Sequence, residues 1–157
     1  MKKVLFICLG NICRSPAAEG IMQSKVQDHS LDDKIQCDSA GTIGHHAGEL
    51  PDSRMRKAAK ARGYILDSHS RKFEPSVDFD KFDYLIVMDD SNLQDIKILD
   101  KKLEFKSKLF KLTDFSSNKE STFVPDPYFG GQSGFDLVLD LVEDCTENLL
   151  LKIKDEL

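Results

Sequence analysis

Two short segments of this chain are apolar at every position, one from Val4 to Leu9 and the other from Tyr84 to Met88. A strand with one face in water alternates apolar and polar residues, so an unbroken apolar run indicates a strand that is buried on both faces. Strands of this kind are typical of parallel sheets that helices cover on both sides. This pattern restricts the possible folds more than any other feature of the sequence.

Helical patterns lie between the predicted strands. Ser15 and Pro16 suit the N-cap and the first position of a helix, and apolar residues follow them with helical spacing as far as Val26. A second helix is predicted over residues 51–63, because Pro-Asp opens this segment and a glycine ends it. A third helix is predicted to begin at Ser91.

Two further strands are predicted at residues 35–40 and 109–112, followed by a long helix near the end of the chain. Ser133 and Asp136 resemble a capping box at the start of that helix, whose apolar face continues to Leu149. Strands and helices therefore alternate along the chain. This order predicts an α/β fold with a four-stranded parallel sheet flanked by helices on both faces.

Length and composition agree with one domain, residues 1–157, in a chain that is 40% hydrophobic and 31% charged. The net charge of −5 argues against non-specific nucleic-acid binding, although a local basic pocket could still hold an anion. No apolar run approaches the ~20 residues that span a membrane, and the first run is too short for a signal peptide. We expect a cytoplasmic protein, a monomer or weak dimer, without nucleic-acid or membrane partners.

Any functional site is expected in the loops at one edge of the sheet. In parallel α/β folds, ligands bind beyond the carboxyl ends of the strands. Three loops are predicted to lie there, namely residues 8–15, 38–46 and 124–132.

The first of these loops, residues 8–15, has the features of an anion cradle. Its backbone N–H groups can point inward, and the following helix adds partial positive charge. Gly10 permits close approach, Asn11 tolerates a left-handed conformation, and Arg14 fits two oxygens of a tetrahedral oxyanion. Cys8 ends the strand, where these charges favour a thiolate that can attack a phosphoryl group. The predicted phosphate-binding residues are Leu9, Gly10, Asn11, Ile12, Cys13, Arg14 and Ser15.

Other ligand-binding motifs fit this loop poorly. The Gly-Lys-Ser/Thr of a Walker loop and the later glycines of a dinucleotide fingerprint are both missing. Cys8 and Cys13 lack the partners of a zinc site, and the adjacent His45 and His46 lack a third ligand nearby. We therefore expect neither a metal nor another cofactor. The alternative without function is a buried structural Cys8 beside a surface Arg14.

The segment Cys8–Pro16, CLGNICRSP, resembles the signature loop of the low-molecular-weight protein tyrosine phosphatases. Asp38–Thr42 is similar to the second-strand motif of that family, and Pro51–Arg54 to the start of its second helix. Residues 82–92 resemble its third strand and following turn, and Val124–Gly131 its acid loop. The resemblance implies a Rossmann-like or flavodoxin-like phosphatase fold and the hydrolysis of phosphotyrosine in proteins.

By this resemblance, three residues carry the chemistry. Cys8 is the nucleophile that forms a cysteinyl-phosphate, and Arg14 holds the phosphoryl oxygens. Asp126 is the general acid for the leaving phenolate and then the base for water. A tyrosine leaving group with a pKa of about 10 benefits from protonation, and N–H groups with Arg14 can stabilise the charge without a metal.

Other positions match the family's supporting residues and substrate pocket. The resemblance assigns a supporting network to Asn11, Ser15, Ser39 and His69, although this chain has His-Ser-Arg-Lys where His-x-Ala-Arg is common. One wall of the pocket is expected to consist of Tyr128 and Phe129, lined by Leu9 and Ile12, with His45 or His46 opposite.

The four cysteines fall into two predicted pairs. The resemblance implies that Cys13 can form a disulfide with Cys8 under oxidation, which protects the nucleophile. Cys37 and Cys145 are expected to be buried apolar residues.

Three rival functions are considered. An arsenate reductase of similar fold needs further cysteines, but residues 79–110 contain none. A protein-arginine phosphatase of the same fold carries a small polar residue where this chain has Ile12, and the bulky Ile12 favours an aryl phosphate. A catalytically dead phosphate-binding module would lack the nucleophile or the acid, whereas this chain keeps Cys8 and Asp126.

Overall fold

The sheet is built around the apolar segment near the N-terminus. In the computed structural model, which describes residues 1–157, β1 (Lys2–Cys8) lies between β2 (Ile35–Gly41) and β3 (Tyr84–Val87). β4 (Leu109–Lys111) pairs with the outer side of β3, so the strand order is β2-β1-β3-β4 and every pairing is parallel. The predicted four-stranded parallel sheet is confirmed.

Five helices cover the sheet. They are α1 (Arg14–Asp28), α2 (Ser53–Ala61), α3 (Pro75–Lys81), α4 (Asp90–Leu99) and α5 (Gln132–Asp155). Short 3₁₀ turns precede and follow β4. None of these helices combines the length and the apolar character that crossing a membrane requires.

The side chains of β1 face two separate cores, which explains its unbroken apolar sequence. Val4 and Phe6 belong to a large core with residues from α1, α2 and α5. Leu5 and Ile7 point to the opposite face and belong to a smaller core with residues from α3 and α4. All four side chains are fully buried. The strand is therefore fixed in the middle of the fold, and its carboxyl end leads directly into the predicted anion cradle.

The predicted start of α1 is wrong by two residues. The helix begins at Arg14, Cys13 occupies the N-cap position, and no side chain caps the helix. Ser15 lies within the first turn, where its hydroxyl contacts the sulfur of Cys8 and the amide of Asn11. A serine hydroxyl at a loop–helix junction can hydrogen-bond either to the helix N-terminus or to a neighbouring loop, and here it bonds to the loop.

The predicted capping box of α5 is also wrong. The helix begins at Gln132 after an N-cap glycine, Gly131, so Ser133 is already helical and does not cap it. The side chain of Asp136 accepts a hydrogen bond from Gln132 at 3.3 Å instead.

Helix α3 has no counterpart among the predicted elements. It is seven residues long, opens with Pro75, and buries Asp78 and Phe79. So short a segment contains too few apolar positions to show a helical period.

Candidate active site

The carboxyl ends of β1 and β2 meet the segment before α5 around a pocket of about 330 Å³. Its lining comprises Cys8, Leu9, Gly10, Ile12, Cys13, Arg14, Ile43, His45, His46, Asp126, Tyr128 and Phe129. The three loops predicted from the sequence therefore meet at one site. Residues 8–15 are called the phosphate loop below, and residues 124–131 the acid loop.

The side chain of Asn11 fixes the conformation of the phosphate loop. The backbone of Asn11 has a φ of 57°, in the left-handed region. The Asn11 amide nitrogen donates to the hydroxyls of Ser15 at 2.7 Å and Ser39 at 2.9 Å. Its amide oxygen accepts the backbone N–H of Arg71 at 3.0 Å. Asparagine tolerates this backbone conformation, and its amide is buried and fully hydrogen-bonded, so the turn is fixed from three directions.

Cys8 lies at the end of β1 with its sulfur 3.0 Å from the hydroxyl oxygen of Ser15. That oxygen already accepts a hydrogen bond from Asn11, so the Ser15 proton is available to the Cys8 sulfur. A hydroxyl that donates to sulfur stabilises a thiolate, and the N-terminus of α1 acts in the same direction.

Arg14 is almost fully buried, with 2% of its surface exposed. Its Nη1 donates to Asp89 Oδ2 at 2.6 Å and to the carbonyl oxygen of Val124 at 3.0 Å. Its Nη2 lies 3.7 Å from Asp126 Oδ2 and makes no hydrogen bond. Asp89 thus orients the guanidinium from one side and leaves the Nη2 side for an oxyanion in the pocket.

The acid loop brings Asp126 into the same pocket as Cys8 and Arg14. The loop is joined to the end of β3 by a hydrogen bond from the Val124 N–H to the Met88 carbonyl, 2.8 Å long. The Asp126 side chain is 43% exposed, and its Oδ1 accepts the backbone N–H of Tyr128 at 3.1 Å. A half-exposed carboxyl group in the same pocket as a buried sulfur can act on a group bound there as well as on solvent.

The supporting network differs from the predicted one in a single residue. Hydrogen bonds join Asn11 to Ser15 and Ser39, but His69 is exposed and makes no hydrogen bond to them. Ser70 and Arg71 connect this segment to the phosphate loop instead. The Ser70 hydroxyl donates to the Gly10 carbonyl at 3.1 Å, and the Arg71 backbone donates to Asn11. Part of this connection is made by a backbone N–H, and the identity of a residue does not show which contacts its backbone makes.

Glu19 on α1 extends the same network. Its carboxylate accepts a hydrogen bond from the Ser39 hydroxyl at 2.5 Å. Burial and the nearby charges of Asp38 and Asp67 raise the pKa of Glu19 to about 7, against the opposing effects of Ser39 and Arg71. A titratable group therefore lies two hydrogen bonds away from Asn11.

A comparison with known proteins agrees with this geometry. A model of the family described as low molecular weight phosphotyrosine protein phosphatase matches residues 3–157. The chain belongs to this family.

Relatives of the chain share its full length. A Synechocystis protein named for the same family is 45% identical over 155 residues, covering 99% of this chain and 98% of the relative. The crystal structure of a protein tyrosine phosphatase from Entamoeba histolytica superposes with a TM-score of 0.93 at 47% identity and covers 99% of both chains. A Drosophila arginine phosphatase superposes with a TM-score of 0.89 at 32% identity, covering 98% of both chains. The protein is accordingly a phosphatase.

In this phosphatase, the residues predicted for the walls of the pocket all line it. Tyr128 and Phe129 form one side, with their ring centroids 5.0 Å apart. Both His45 and His46 also line the pocket, and the His46 ring centroid lies 6.5 Å from that of Tyr128. Ile43 lines it too and was not among the predicted pocket residues.

The cysteines of the phosphatase occupy three kinds of environment. Cys8 and Cys13 line the pocket, where burial and the nearby negative charges of Asp52, Cys8 and Asp126 raise the pKa of Cys13. Cys145 is fully buried in the large core, as predicted, whereas Cys37 on β2 is only partly buried.

Several contacts of the site were missed by sequence reasoning. The most direct is the pairing of Arg14 with Asp89, the N-cap residue of α4. The position of Asp89 just after β3, at the same edge of the sheet as Cys8, is the signal that could have identified it.

No cluster of three or more His, Cys, Asp or Glu side chains is suited to a metal ion.

Proposed function

We propose that this protein hydrolyses phosphotyrosine in protein substrates through a cysteinyl-phosphate intermediate. The Cys8 thiolate attacks phosphorus, the bond to the tyrosine oxygen breaks, and Asp126 protonates the departing phenolate. The Asp126 carboxylate then takes a proton from water, which attacks phosphorus and breaks the bond to sulfur. The products are inorganic phosphate and the Cys8 thiolate.

The observation that carries this proposal is the meeting of Cys8, Arg14 and Asp126 in one pocket. The sulfur receives the Ser15 hydrogen bond, the guanidinium is oriented by Asp89, and the acid comes from a separate loop. These groups supply a nucleophile, a stabilising charge and a proton source, and none of the proposed steps needs a metal.

The walls of the pocket support an aryl phosphate as substrate. Tyr128 and Phe129 contribute aromatic rings to the lining, and Leu9 and Ile12 add apolar surface. A similar fold serves an arginine phosphatase in Drosophila, which makes phosphoarginine the natural competing substrate. The apolar Ile12 favours the planar ring over a charged guanidinium.

The decisive experiment compares the wild-type protein with Cys8→Ser and Asp126→Asn in excess chelator. With a phosphotyrosine peptide, Cys8→Ser should abolish turnover, and Asp126→Asn should lower kcat/KM by about 10²–10⁴-fold. Cys37→Ser, at a partly buried cysteine of β2 that does not line the pocket, is the matched control and should keep wild-type activity. Turnover by Cys8→Ser, or faster hydrolysis of phosphoarginine than of phosphotyrosine, would contradict the proposal.

The proposed function includes reversible oxidation of the pocket. Peroxide converts the Cys8 thiolate to a sulfenic acid, the Cys13 thiol attacks that sulfur, a disulfide forms and water leaves. The placement of both cysteines on one pocket supports this pairing. After peroxide treatment, dithiothreitol should restore wild-type activity, whereas Cys13→Ser should recover much less because its Cys8 oxidises further. Equal recovery of the two proteins would refute the pairing.

The cellular setting is part of the same proposal. Four unpaired cysteines suit a reducing compartment, which supports a cytoplasmic location. All residues of the pocket come from one chain, so a monomer or a weak dimer can carry out the reaction.

A further inference from the structure

We propose that Arg54 is a positioning residue that holds the acid loop so that Asp126 can protonate the leaving group. This inference rests on the proposed function, in which Asp126 is the general acid. Arg54 does not line the pocket and touches no reacting group, so its effect passes through the acid loop.

Arg54 is first fixed by its own helix. Asp52 caps α2, and its carboxylate accepts the backbone N–H of Arg54 at 2.8 Å. The same carboxylate accepts Arg54 Nε at 3.2 Å and Nη2 at 3.0 Å, a two-point contact that orients the plane of the guanidinium. The backbone N–H of Asp52 donates to the Ile12 carbonyl at 2.8 Å. The start of α2 is therefore joined to the phosphate loop.

From this position, Arg54 reaches across to the acid loop. Its Nη2 donates to the carbonyl oxygen of Tyr128 at 2.8 Å. Its guanidinium carbon lies 5.4 Å from the centre of the Tyr128 ring and 4.8 Å from the centre of the Phe135 ring. Phe135 is buried in the first turn of α5, so Arg54 contacts the loop and the helix that follows it.

The contact with Tyr128 leads directly to the acid. The backbone N–H of Tyr128 donates to Asp126 Oδ1 at 3.1 Å. Arg54 thus holds the carbonyl of a residue whose N–H holds the carboxyl group of Asp126. A guanidinium fork can bind Asp52 and the Tyr128 carbonyl while it stacks on a ring, whereas a lysine ammonium cannot do all three.

Few other contacts fix this part of the loop. The hydrogen bond from Arg54 is the one hydrogen bond that joins residues 125–130 to another segment of the chain. The salt bridge between Arg14 and Asp126, 3.7 Å long, is not a hydrogen bond. Phe129 is 96% exposed and two glycines follow it. Without Arg54, the loop would adopt more conformations, and Asp126 would reach the leaving oxygen in a smaller fraction of them.

The prediction concerns steps that need the acid rather than phosphate binding. A strongly basic phenolate needs protonation as it leaves, whereas p-nitrophenolate, a much weaker base, leaves with little help. In Arg54→Ala, the ratio of kcat/KM for p-nitrophenyl phosphate to that for phenyl phosphate should rise about tenfold over wild type. Arg54→Lys should show a smaller rise. Arg56→Ala, two residues along α2, is the control and should leave the ratio unchanged, because the Arg56 side chain donates only to the Pro51 carbonyl.

Asp126→Asn in the same substrate series separates the two proposals. If Asp126→Asn raises the ratio and Arg54→Ala does not, the positioning role of Arg54 is refuted and the proposed function stands. If neither variant raises it, the assignment of Asp126 as general acid fails. The double variant should resemble Asp126→Asn alone, because Arg54 has no acid left to position. Equal loss with both substrates in Arg54→Ala would also overturn the inference.

Discussion

At Asn11, a single side chain joins three separate segments of the chain. Its amide needs a donor for Ser15 and Ser39 and an acceptor for the Arg71 backbone, so an aspartate could not replace it. The left-handed backbone at this position further restricts the choice of residue. The geometry of the phosphate loop therefore depends on the hydrogen bonds of Asn11 as much as on Gly10.

Glu19 makes this network sensitive to pH. Its folded-state pKa of about 7 exceeds the value of about 4.3 expected in the unfolded chain, chiefly because of burial. Between these values the folded protein binds more protons than the unfolded one, so the contribution of Glu19 to stability falls as pH rises. Above pH 7, the folded protein holds a partly buried Glu19 carboxylate near Asp38 and Asp67, which opposes folding.

Urea unfolding of wild type and Glu19→Gln at several pH values measures this effect. The free energy of unfolding of wild type, relative to that of Glu19→Gln, should fall by about 2 kcal/mol between pH 5 and pH 8. Glu147, an exposed carboxylate paired with Lys25 and with a lowered pKa, supplies the control variant Glu147→Gln. A difference between wild type and Glu19→Gln that stays constant over this range would contradict the assigned pKa.

At the scale of elements, the sequence predicted what local composition determines. The apolar runs identified β1 and β3, because a strand buried on both faces has no polar positions. The Pro51–Asp52 pair was correctly expected near the start of α2, although the helix itself begins at Ser53 and Asp52 caps it. The three loops of the site followed from the rule that ligands bind at the carboxyl edge of a parallel sheet.

The failures at this scale involve contacts between distant segments. The Ser15 hydroxyl contacts Cys8 rather than capping α1. The contacts expected of His69 are made instead by the Ser70 hydroxyl and by the backbone N–H of Arg71. The tie from Arg54 to Tyr128 joins residues 74 positions apart. Residue types alone cannot report such pairs, because each depends on how separate elements come together.

The lining residues of the pocket range from Cys8 to Phe129, so the pocket forms only when distant parts of the chain are folded together. The Arg14 side chain joins α1 both to Asp89, the N-cap residue of α4, and to Val124 of the acid loop. An anion that binds this pocket lies among three loops that are far apart in the chain. Binding to the folded state alone should therefore stabilise the domain as one unit.

Inorganic phosphate, a product of the proposed reaction, tests this coupling. At about 100 times its Kd, phosphate should stabilise the fold by about 2.7 kcal/mol and raise the Tm by about 5–10 °C in a single transition. Sodium chloride at equal ionic strength should give a much smaller shift. Arg14→Lys, which keeps the charge but loses the planar fork, should lose most of the phosphate-dependent shift at the same concentration. A shift as large as that of wild type in Arg14→Lys would show that phosphate stabilises the fold from another place on the molecule.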